Sequence, residues 1–339
     1  SERTRKILEI QREWTEQLKK CDEVELYIIK STVIIAGTCT GFVSNRIIRD
    51  VEFDYVIVDE AAKATFPELA VSLNKAHKII LVGDHQQLPP VLDTEIIRNN
   101  KEKLDEEGLA QGVFERMYNM FPEDNKHRLT IQYRMHPTIG TLISHVFYND
   151  EIQNGVEAQD RELCIEGYEG IAIEWISTSK YSTKERYEKE FDNNGKKSYQ
   201  NYLERNIIER KLLELDSKLV KRTKVAVITG YGSQKYILQT MVKQHSFKHI
   251  EVDVDTVDAF QGSQKDIILY STVRSSGNKY GIGFLKSEAR INVAFSRARC
   301  LLIIVGDMKF LDNYKIRGNK FPEIIKYITE SEGCRIIEK

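Results

Sequence analysis

The chain has 339 residues, of which 41% are hydrophobic and 30% are charged, and its formal net charge is −1. This length allows a large core and two domains, and the charge excludes a strongly basic protein whose overall field attracts nucleic acid. A local basic groove is still compatible with this sum.

Two further absences in the sequence limit the class of protein. No apolar stretch approaches the roughly 18 residues of a membrane-spanning helix, and the charged stretch SERTRKILEIQREW lacks a signal-peptide core, so we expect an intracellular, cytoplasmic location. The five cysteines form no C-x-x-C pair, which favours reduced, buried thiols over disulfides or a zinc site.

The order of elements predicts an α/β fold. Residues 1–30 have a charged helical pattern, with apolar markers at Leu8, Trp14 and Leu18. Near-continuous apolar runs follow and alternate with helical patterns such as residues 202–221, which is typical of mostly parallel sheets covered by helices on both faces. The predicted strands are TVIIAG (32–37), YVIVDE (55–60), KIILVGD (78–84), IAIEWIS (171–177), KVAVITG (224–230), KDIILYSTV (265–273) and CLLIIVGD (300–307).

The strands fall into two sets, which predicts two domains. The helical stretch 93–127 separates them, and FPEDNKHR (121–128) is the expected linker. We therefore predict domains at residues 1–125 and 126–339. The polar segment 178–200 lacks a core pattern and is predicted to be a solvated surface loop.

The stretch VIVDEAAKA (56–64) places two acids at the end of a predicted strand. Ligands bind at the carboxyl ends of strands in open α/β sheets. There Asp59 is a candidate ligand of Mg²⁺ beside nucleotide phosphates, and Glu60 is a candidate to orient and deprotonate an attacking water. Alone, the pattern also suits a strand followed by a helix N-terminus, where acids are favoured.

Four further stretches carry residue types that suit phosphate chemistry. Gln87 in LVGDHQQLPPV (81–91) is suited to a γ-phosphate or a water, Arg134 in IQYRMHP (131–137) to phosphate, and the adjacent Tyr133 to stacking on a base. Gly262, after Gln261, allows a tight turn near a ligand. Arg297 and Arg299 lie on a predicted helix before a later strand, and one of them is suited to an arginine finger. Individually, these stretches are more typical of a turn or a solvated basic surface.

Their combination is more specific. VDEA, GDHQQLPP, QYRMHP, TVDAFQG, QKD and NVAFSRAR occur in one order over residues 31–310. This arrangement resembles superfamily 1 helicases, and within them the up-frameshift and senataxin-like branch. The resemblance implies two RecA-like domains with ATP between them, Mg²⁺ as the metal, and single-stranded DNA or RNA as the track.

The resemblance also implies roles for individual residues. Asp59 and Glu60 match the Walker B acids, and Gln87 the glutamine that senses the γ-phosphate. Tyr133 matches the residue that stacks on the nucleotide base, while Arg134 and Arg297 match arginines that reach the γ-phosphate.

The loop and track residues follow from the same resemblance. Gln261 and Gly262 match the loop that couples ATP to the nucleic-acid track. Thr38 and Thr40 in GTCTG (37–41), together with Thr256, are the candidates for nucleic-acid contact. The sequence departs from the family pattern at Gly230, where a proline is usual, and at Gln264, where a glutamate often lies near the ribose.

One expected motif is absent from the sequence. No G-x-x-x-x-G-K-[ST] stretch occurs, although this loop normally cradles the phosphates and its Ser/Thr holds Mg²⁺. We expect residue 1 to be an internal position of a longer helicase, with a protein that dispenses with the loop as the alternative. The rival interpretation of function is a non-catalytic nucleic-acid-binding or docking module that retains the helicase fold.

Overall fold

The chain forms two compact units in the computed structural model. The first consists of Ser1–His85 and Pro89–Asn125, and the second of Gln86–Leu88 and Lys126–Lys339. The structure describes residues 2–18, 22–48, 51–91, 112–193, 196–276 and 281–338. Most of the predicted helical stretch 93–127, namely residues 93–111, lies outside this part.

The first unit has a small core between two parallel strands and short helices. Val58 and Ala61, at and just after the end of the first strand, pack with Leu69 and Phe114, and all four side chains are buried. The helical pattern predicted for residues 1–30 is confirmed where the structure describes them. The elements are α1 (Glu2–Leu18), α2 (Asp22–Ser31), α3 (Cys39–Ser44), β1 (Phe53–Val58), α4 (Phe66–Leu73), β2 (Ala76–Leu81) and α5 (Val113–Met120).

The predicted strand at residues 32–37 is wrong. Residues 34–38 have no regular secondary structure, and Val33 and Ile34 are 98% and 80% exposed. The run directly follows α2, and its first residue, Thr32, packs onto the last turn of that helix by donating from its hydroxyl to the Ile28 carbonyl at 2.6 Å. A strand also needs a hydrogen-bonded neighbour, and no described strand pairs with this run.

The second unit is built on a six-stranded, fully parallel sheet. In order across the sheet, the strands are Cys334–Glu338, Ile173–Ser177, Ala298–Gly306, Lys265–Ser271, Thr223–Thr229 and Ile250–Thr256. The predicted strands at 171–177, 224–230, 265–273 and 300–307 are all present, which confirms the α/β fold class. The strands are β5 (Ile173–Ser177), β8 (Thr223–Thr229), β9 (Ile250–Thr256), β10 (Lys265–Ser271), β11 (Ala298–Gly306) and β12 (Cys334–Glu338).

Helices cover both faces of this sheet, which explains the apolar runs. Alternate residues point to opposite faces, so Trp175 packs in one buried cluster and Ile176 in the other. One cluster includes side chains of α6, α10 and α12, and the other includes those of α8 and α9. These helices are α6 (Pro137–Phe147), α8 (Tyr202–Lys218), α9 (Gly232–Val242), α10 (Glu288–Phe295) and α12 (Phe321–Glu330), and the remaining helices are α7 (Thr183–Arg186) and α11 (Met308–Asn313).

Most described residues of the segment 178–200 are exposed, as predicted, but the segment is not a loop. It contains α7 and an antiparallel hairpin of β6 (Lys189–Asn193) and β7 (Lys196–Gln200). Tyr199 is buried and lies under the Arg274 guanidinium, whose carbon is 4.0 Å from the ring centroid. Glu188 also pairs with Arg274 at 3.0 Å, so two buried contacts anchor a segment whose composition is mostly polar.

Two short strands complete the second unit beside the motif QYRMHP. They are β3 (Ile131–Gln132) and β4 (Gln153–Asn154), and they pair in parallel. The four described cysteines are free, but none is fully buried as predicted: Cys39, Cys300 and Cys334 are partly buried, and Cys164 is exposed. None of the described helices is both long and apolar enough to cross a bilayer.

Candidate functional site

The two acids of VIVDEA lie at the end of β1 in the first unit. Both Asp59 and Glu60 are exposed, and the Asp59 carboxylate accepts a hydrogen bond from the Glu60 N–H at 2.9 Å. Glu60 has φ 55°, a left-handed conformation that costs energy for a residue with a Cβ. The next N–H, of Ala61, donates to the Val82 carbonyl at 2.8 Å, so the turn is fixed against the end of β2.

This pair of carboxylates suits a magnesium ion. Mg²⁺ prefers hard oxygen ligands and commonly takes one or two carboxylates together with substrate phosphates. Among the described residues there is no cluster of three or more His, Cys, Asp or Glu side chains able to enclose a metal. The donor chemistry therefore fits an ion shared with a phosphate substrate better than a closed protein site.

Arg297 is the centre of a hydrogen-bonded cluster in the second unit. Its side chain is only 2% exposed. The guanidinium donates to the Val293 carbonyl at 3.1 Å, the Ser296 hydroxyl at 3.1 Å and the Gln87 side-chain oxygen at 3.2 Å. The sequence-predicted Gln87 and Arg297, which are separated by 210 positions, are thus in direct contact.

Gln87 is held there by its neighbours in the chain. Leu88 is buried in the core cluster of the second unit, and the Gln86 carbonyl accepts from the Asn292 amide at 3.1 Å. The same amide donates to the Tyr148 hydroxyl at 2.8 Å. Gln86 on one side and Leu88 on the other therefore fix the position of Gln87.

The motif QYRMHP lies beside the same cluster. Arg134 donates from its guanidinium to the Ser296 carbonyl at 3.3 Å, and the His136 N–H donates to the Arg299 carbonyl at 2.7 Å. Arg134 is half-buried, whereas Tyr133 is 63% exposed. Burial lowers the pKa of His136, and its ring nitrogen accepts from the Thr138 N–H at 3.2 Å to cap α6.

The loop after β9 contains the next predicted residues. Gly262 has φ 78° and a hypothetical Cβ there would meet nothing within 4 Å, so glycine is needed for conformation rather than for space. The Gln261 side-chain oxygen is buried without a hydrogen-bond partner among the described residues. Gln264 is exposed. Arg290 of α10 holds the start of this loop through Asp258, at 3.2 Å.

The three predicted nucleic-acid residues occupy different units. In the first unit Thr38 caps α3 by accepting from the Gly41 N–H at 3.0 Å, and its hydroxyl is 3.4 Å from that of Thr40. In the second unit Thr256 is the last residue of β9. The structure thus does not bring all three together within one unit.

Other side chains form contacts within and around the motif QYRMHP, and Arg161, Gln132 and Asn154 were not identified among them from the sequence. Arg161, which follows β4, donates to the Tyr133 carbonyl at 2.7 Å and to the Arg134 carbonyl at 2.8 Å. Gln132 and Asn154 are joined through their amides at 2.7 Å. Arg299, the other arginine named from the sequence as a candidate finger, instead pairs with Asp266 at 2.9 Å. Only the QNG tripeptide at 153–155, a turn-like pattern, gave a weak signal.

Comparison with known proteins is consistent with these motifs. Two family models, both described as an AAA domain, match residues 1–95 and 109–309. A regulator of nonsense transcripts 1 homolog of Neurospora crassa is 35% identical over 301 residues, which are 87% of this chain and 26% of that protein. The ATP-dependent helicase NAM7 of Saccharomyces cerevisiae is 34% identical over 324 residues, 94% of this chain and 31% of that protein.

Two more distant similarities were found. An ATP-dependent helicase of Methanocaldococcus jannaschii is 30% identical over an aligned length of 344, which covers 96% of this chain and 46% of that protein. The solved PRRSV helicase has a TM-score of 0.36 and 17% identity, over 74% of this chain and 34% of that chain. This chain spans less than half the length of each of these relatives.

The second of the two AAA-domain models covers more than half of the chain, and the motifs identified from the sequence lie in the matched segments. The expected resemblance is therefore confirmed: the chain belongs to the AAA-domain family, within the up-frameshift-like branch of the superfamily 1 helicases.

Proposed function

We propose that this chain is part of the motor core of an ATP-dependent helicase or translocase that moves on single-stranded DNA or RNA. We assign residues 1–125 and 126–339 to its two RecA-like domains, the first of them partial. The observation that carries the proposal is the contact of Arg297 with Gln87 at 3.2 Å, beside the Ser296 carbonyl that Arg134 contacts. Three residues expected to act on one γ-phosphate thus share one small, hydrogen-bonded cluster.

The arginines in this cluster suit the stabilisation of charge on a transferring phosphoryl group. Phosphoryl transfer depends mainly on positioning and on electrostatic stabilisation, and a planar guanidinium offers paired donors to phosphate oxygens. Arg297 is almost fully buried, so its side chain is already ordered and desolvated. A donor that is fixed before the reaction contributes more than one that must reorganise.

The remaining nucleotide contacts are assigned by residue type. Tyr133 stacks on the base, and its exposed ring is compatible with this role. Gln261 has a buried side-chain oxygen without a partner among the described residues, which supports a role near the ligand. Gly262 and Gln264 lie in the same loop and are assigned to the nucleotide with it.

The two acids divide the chemistry at the phosphate. Asp59 holds Mg²⁺, which when bound supplies positive charge to the phosphate oxygens. Glu60 orients and deprotonates the water. The hydrogen bond from the Glu60 N–H fixes the Asp59 carboxylate, and the left-handed Glu60 backbone keeps the two side chains in a defined arrangement.

Nucleic acid is the proposed track. Thr38, Thr40 and Thr256 supply hydroxyl donors to its backbone, which is the part of a single strand that sequence-independent proteins grip. Nothing in the residue types selects 2′-hydroxyl contacts, so both DNA and RNA belong in the test.

The direct test is ATP hydrolysis by the protein expressed from its complete gene, with and without single-stranded DNA and RNA. Glu60→Gln keeps the size of the side chain and removes the base, so we expect hydrolysis to fall by about 100-fold or more while nucleotide binding persists. Asp124→Asn, at an exposed acid in a helical turn, is the matched control. Equal rates for the wild type and Glu60→Gln would contradict the proposal.

The absence of a G-x-x-x-x-G-K-[ST] stretch favours one second candidate, a nucleic-acid-binding or docking module without ATP turnover. The same Glu60→Gln variant separates the two functions. A motor loses unwinding of a duplex, whereas a binding module retains its affinity for a labelled single strand and has no ATP-dependent activity to lose.

A further inference from the structure

We infer that residues 153–161 form a seat that positions Tyr133 and Arg134, and that Gly155 and Arg161 are positioning residues for the nucleotide. This inference rests on the proposed function, because it assumes that these two side chains contact ATP. Two observations support it: the space that Gly155 leaves for the Tyr133 ring, and the hydrogen bonds from Arg161 to main-chain carbonyls.

Gly155 provides the space for the Tyr133 ring. A Cβ at Gly155 would lie 2.8 Å from Cδ1 of that ring and 2.7 Å from Cγ2 of Ile131, both far inside van der Waals contact. The Gly155 N–H donates to the Gln132 carbonyl at 2.8 Å, which holds the main chain against the ring. Only glycine therefore permits the observed position of Tyr133.

Arg161 fixes the backbone that carries both side chains. It donates to the Tyr133 carbonyl at 2.7 Å, the Arg134 carbonyl at 2.8 Å and the Asp160 carbonyl at 3.0 Å. A guanidinium can bond two successive carbonyls because its donors form a rigid fork, whereas a lysine ammonium is a point charge on a flexible stem. These contacts use main-chain oxygens and leave the tyrosine ring facing outward.

Gln132 closes the turn from the other side. Its side-chain oxygen accepts from the Arg134 N–H at 2.9 Å and from the Met135 N–H at 2.8 Å. Its amide nitrogen donates to Asn154 at 2.7 Å, which ties the turn back to the seat. The two residues proposed to touch ATP are thus held on both sides by groups that do not touch it.

The energetic consequence falls on binding more than on chemistry. An exposed aromatic ring that is already held in one orientation loses less conformational freedom when a base stacks on it. Removing the seat should raise the KM for ATP by about 3- to 10-fold, which corresponds to the ordering of one or two side chains. The kcat should change little in Gly155→Ala, because the acids and Arg297 are untouched.

A double-mutant cycle tests this on the protein expressed from its complete gene, with saturating single-stranded nucleic acid. KM and kcat for ATP are measured for Gly155→Ala, Tyr133→Ala and the double variant, with thermal unfolding to monitor stability. We expect Gly155→Ala to raise KM and to have no further effect once Tyr133 is alanine. Multiplying effects, or an unchanged KM in Gly155→Ala while Tyr133→Ala raises it, would overturn the inference.

Arg161→Lys supplies an independent arm. It keeps the charge but loses the fork, so KM should rise, and it should rise further in Arg161→Ala. Arg222→Gln is the control, because Arg222 is 77% exposed and pairs with the exposed Glu251 at 3.4 Å. An unchanged KM in both Arg161 variants overturns its role. If Tyr133→Ala itself leaves KM unchanged, the proposed nucleotide contact fails and this inference fails with it.

Discussion

The buried Glu204 of α8 should make the stability of the second unit depend on pH. Its side chain is fully buried, and burial raises its pKa from 4.5 to about 8, although hydrogen bonds from Ser271, Val273 and Thr272 oppose the shift. The Ser271 hydroxyl donates at 2.6 Å and the Val273 N–H at 2.9 Å. The nearby carboxylate of Glu188 contributes to the rise.

The sign of the effect follows from proton binding. Between pH 4.5 and about 8 the folded protein holds a proton on Glu204 that the unfolded chain has released. The free energy of unfolding therefore falls as pH rises through this window. The folded protein is most stable at the acid end of the window. One pKa unit corresponds to about 1.4 kcal/mol, so a rise from 4.5 to about 8 gives a full effect on the order of 5 kcal/mol.

Urea unfolding at about pH 5.5, 6.5 and 7.5, three values inside the window, measures this dependence. We expect Glu204→Gln, which is neutral throughout, to reduce the loss of stability with rising pH. Glu214→Gln is the control, because hydrogen bonds from Lys211 and Lys218 outweigh burial and lower the pKa of Glu214, so it titrates below the window. Parallel curves for the wild type and Glu204→Gln would refute the argument.

Two further predictions concern the nucleotide site. Arg297→Lys keeps a positive charge but cannot hydrogen-bond to Val293, Ser296 and Gln87 at the same time. In steady-state kinetics, kcat for ATP should therefore fall by roughly 1000-fold, while the KM changes less. The purified 339-residue chain should hydrolyse ATP at background rates, because its sequence has no G-x-x-x-x-G-K-[ST] loop. A phosphate-release assay measures this rate. If single-stranded nucleic acid stimulates the rate and Glu60→Gln abolishes it, another segment cradles the phosphates.

The strands of the second unit were predictable where both of their faces are buried. Residues 265–271 and 298–306 are nearly continuous apolar runs at the centre of the sheet. The edge strand β9 was missed because IEVDVDT alternates: Ile250 and Val254 are buried, while Glu251 and Asp253 are exposed. The apolar run at 32–37 misled for the opposite reason, since a strand also needs a neighbour that sequence periodicity does not reveal.

Residues proposed to touch the substrate were also predictable, because their chemistry is written in their type. An acid at a strand end or an arginine in a fixed motif suggests a role before any contact is known. The anchors of the hairpin at 189–200 are different: Tyr199 is one aromatic in a polar segment, and its significance appears only when the Arg274 guanidinium lies 4.0 Å above its ring.

Positioning residues were the least accessible to the sequence, and the reason is physical. Arg161 acts on two main-chain carbonyls, and Gly155 acts by having no side chain, so neither residue type announces a function. What they determine is the placement of Tyr133 and Arg134, whose own types do suggest one. A displaced ring or guanidinium would contribute much less to the binding of a nucleotide. The geometry of the proposed site therefore depends on residues outside its recognisable motifs.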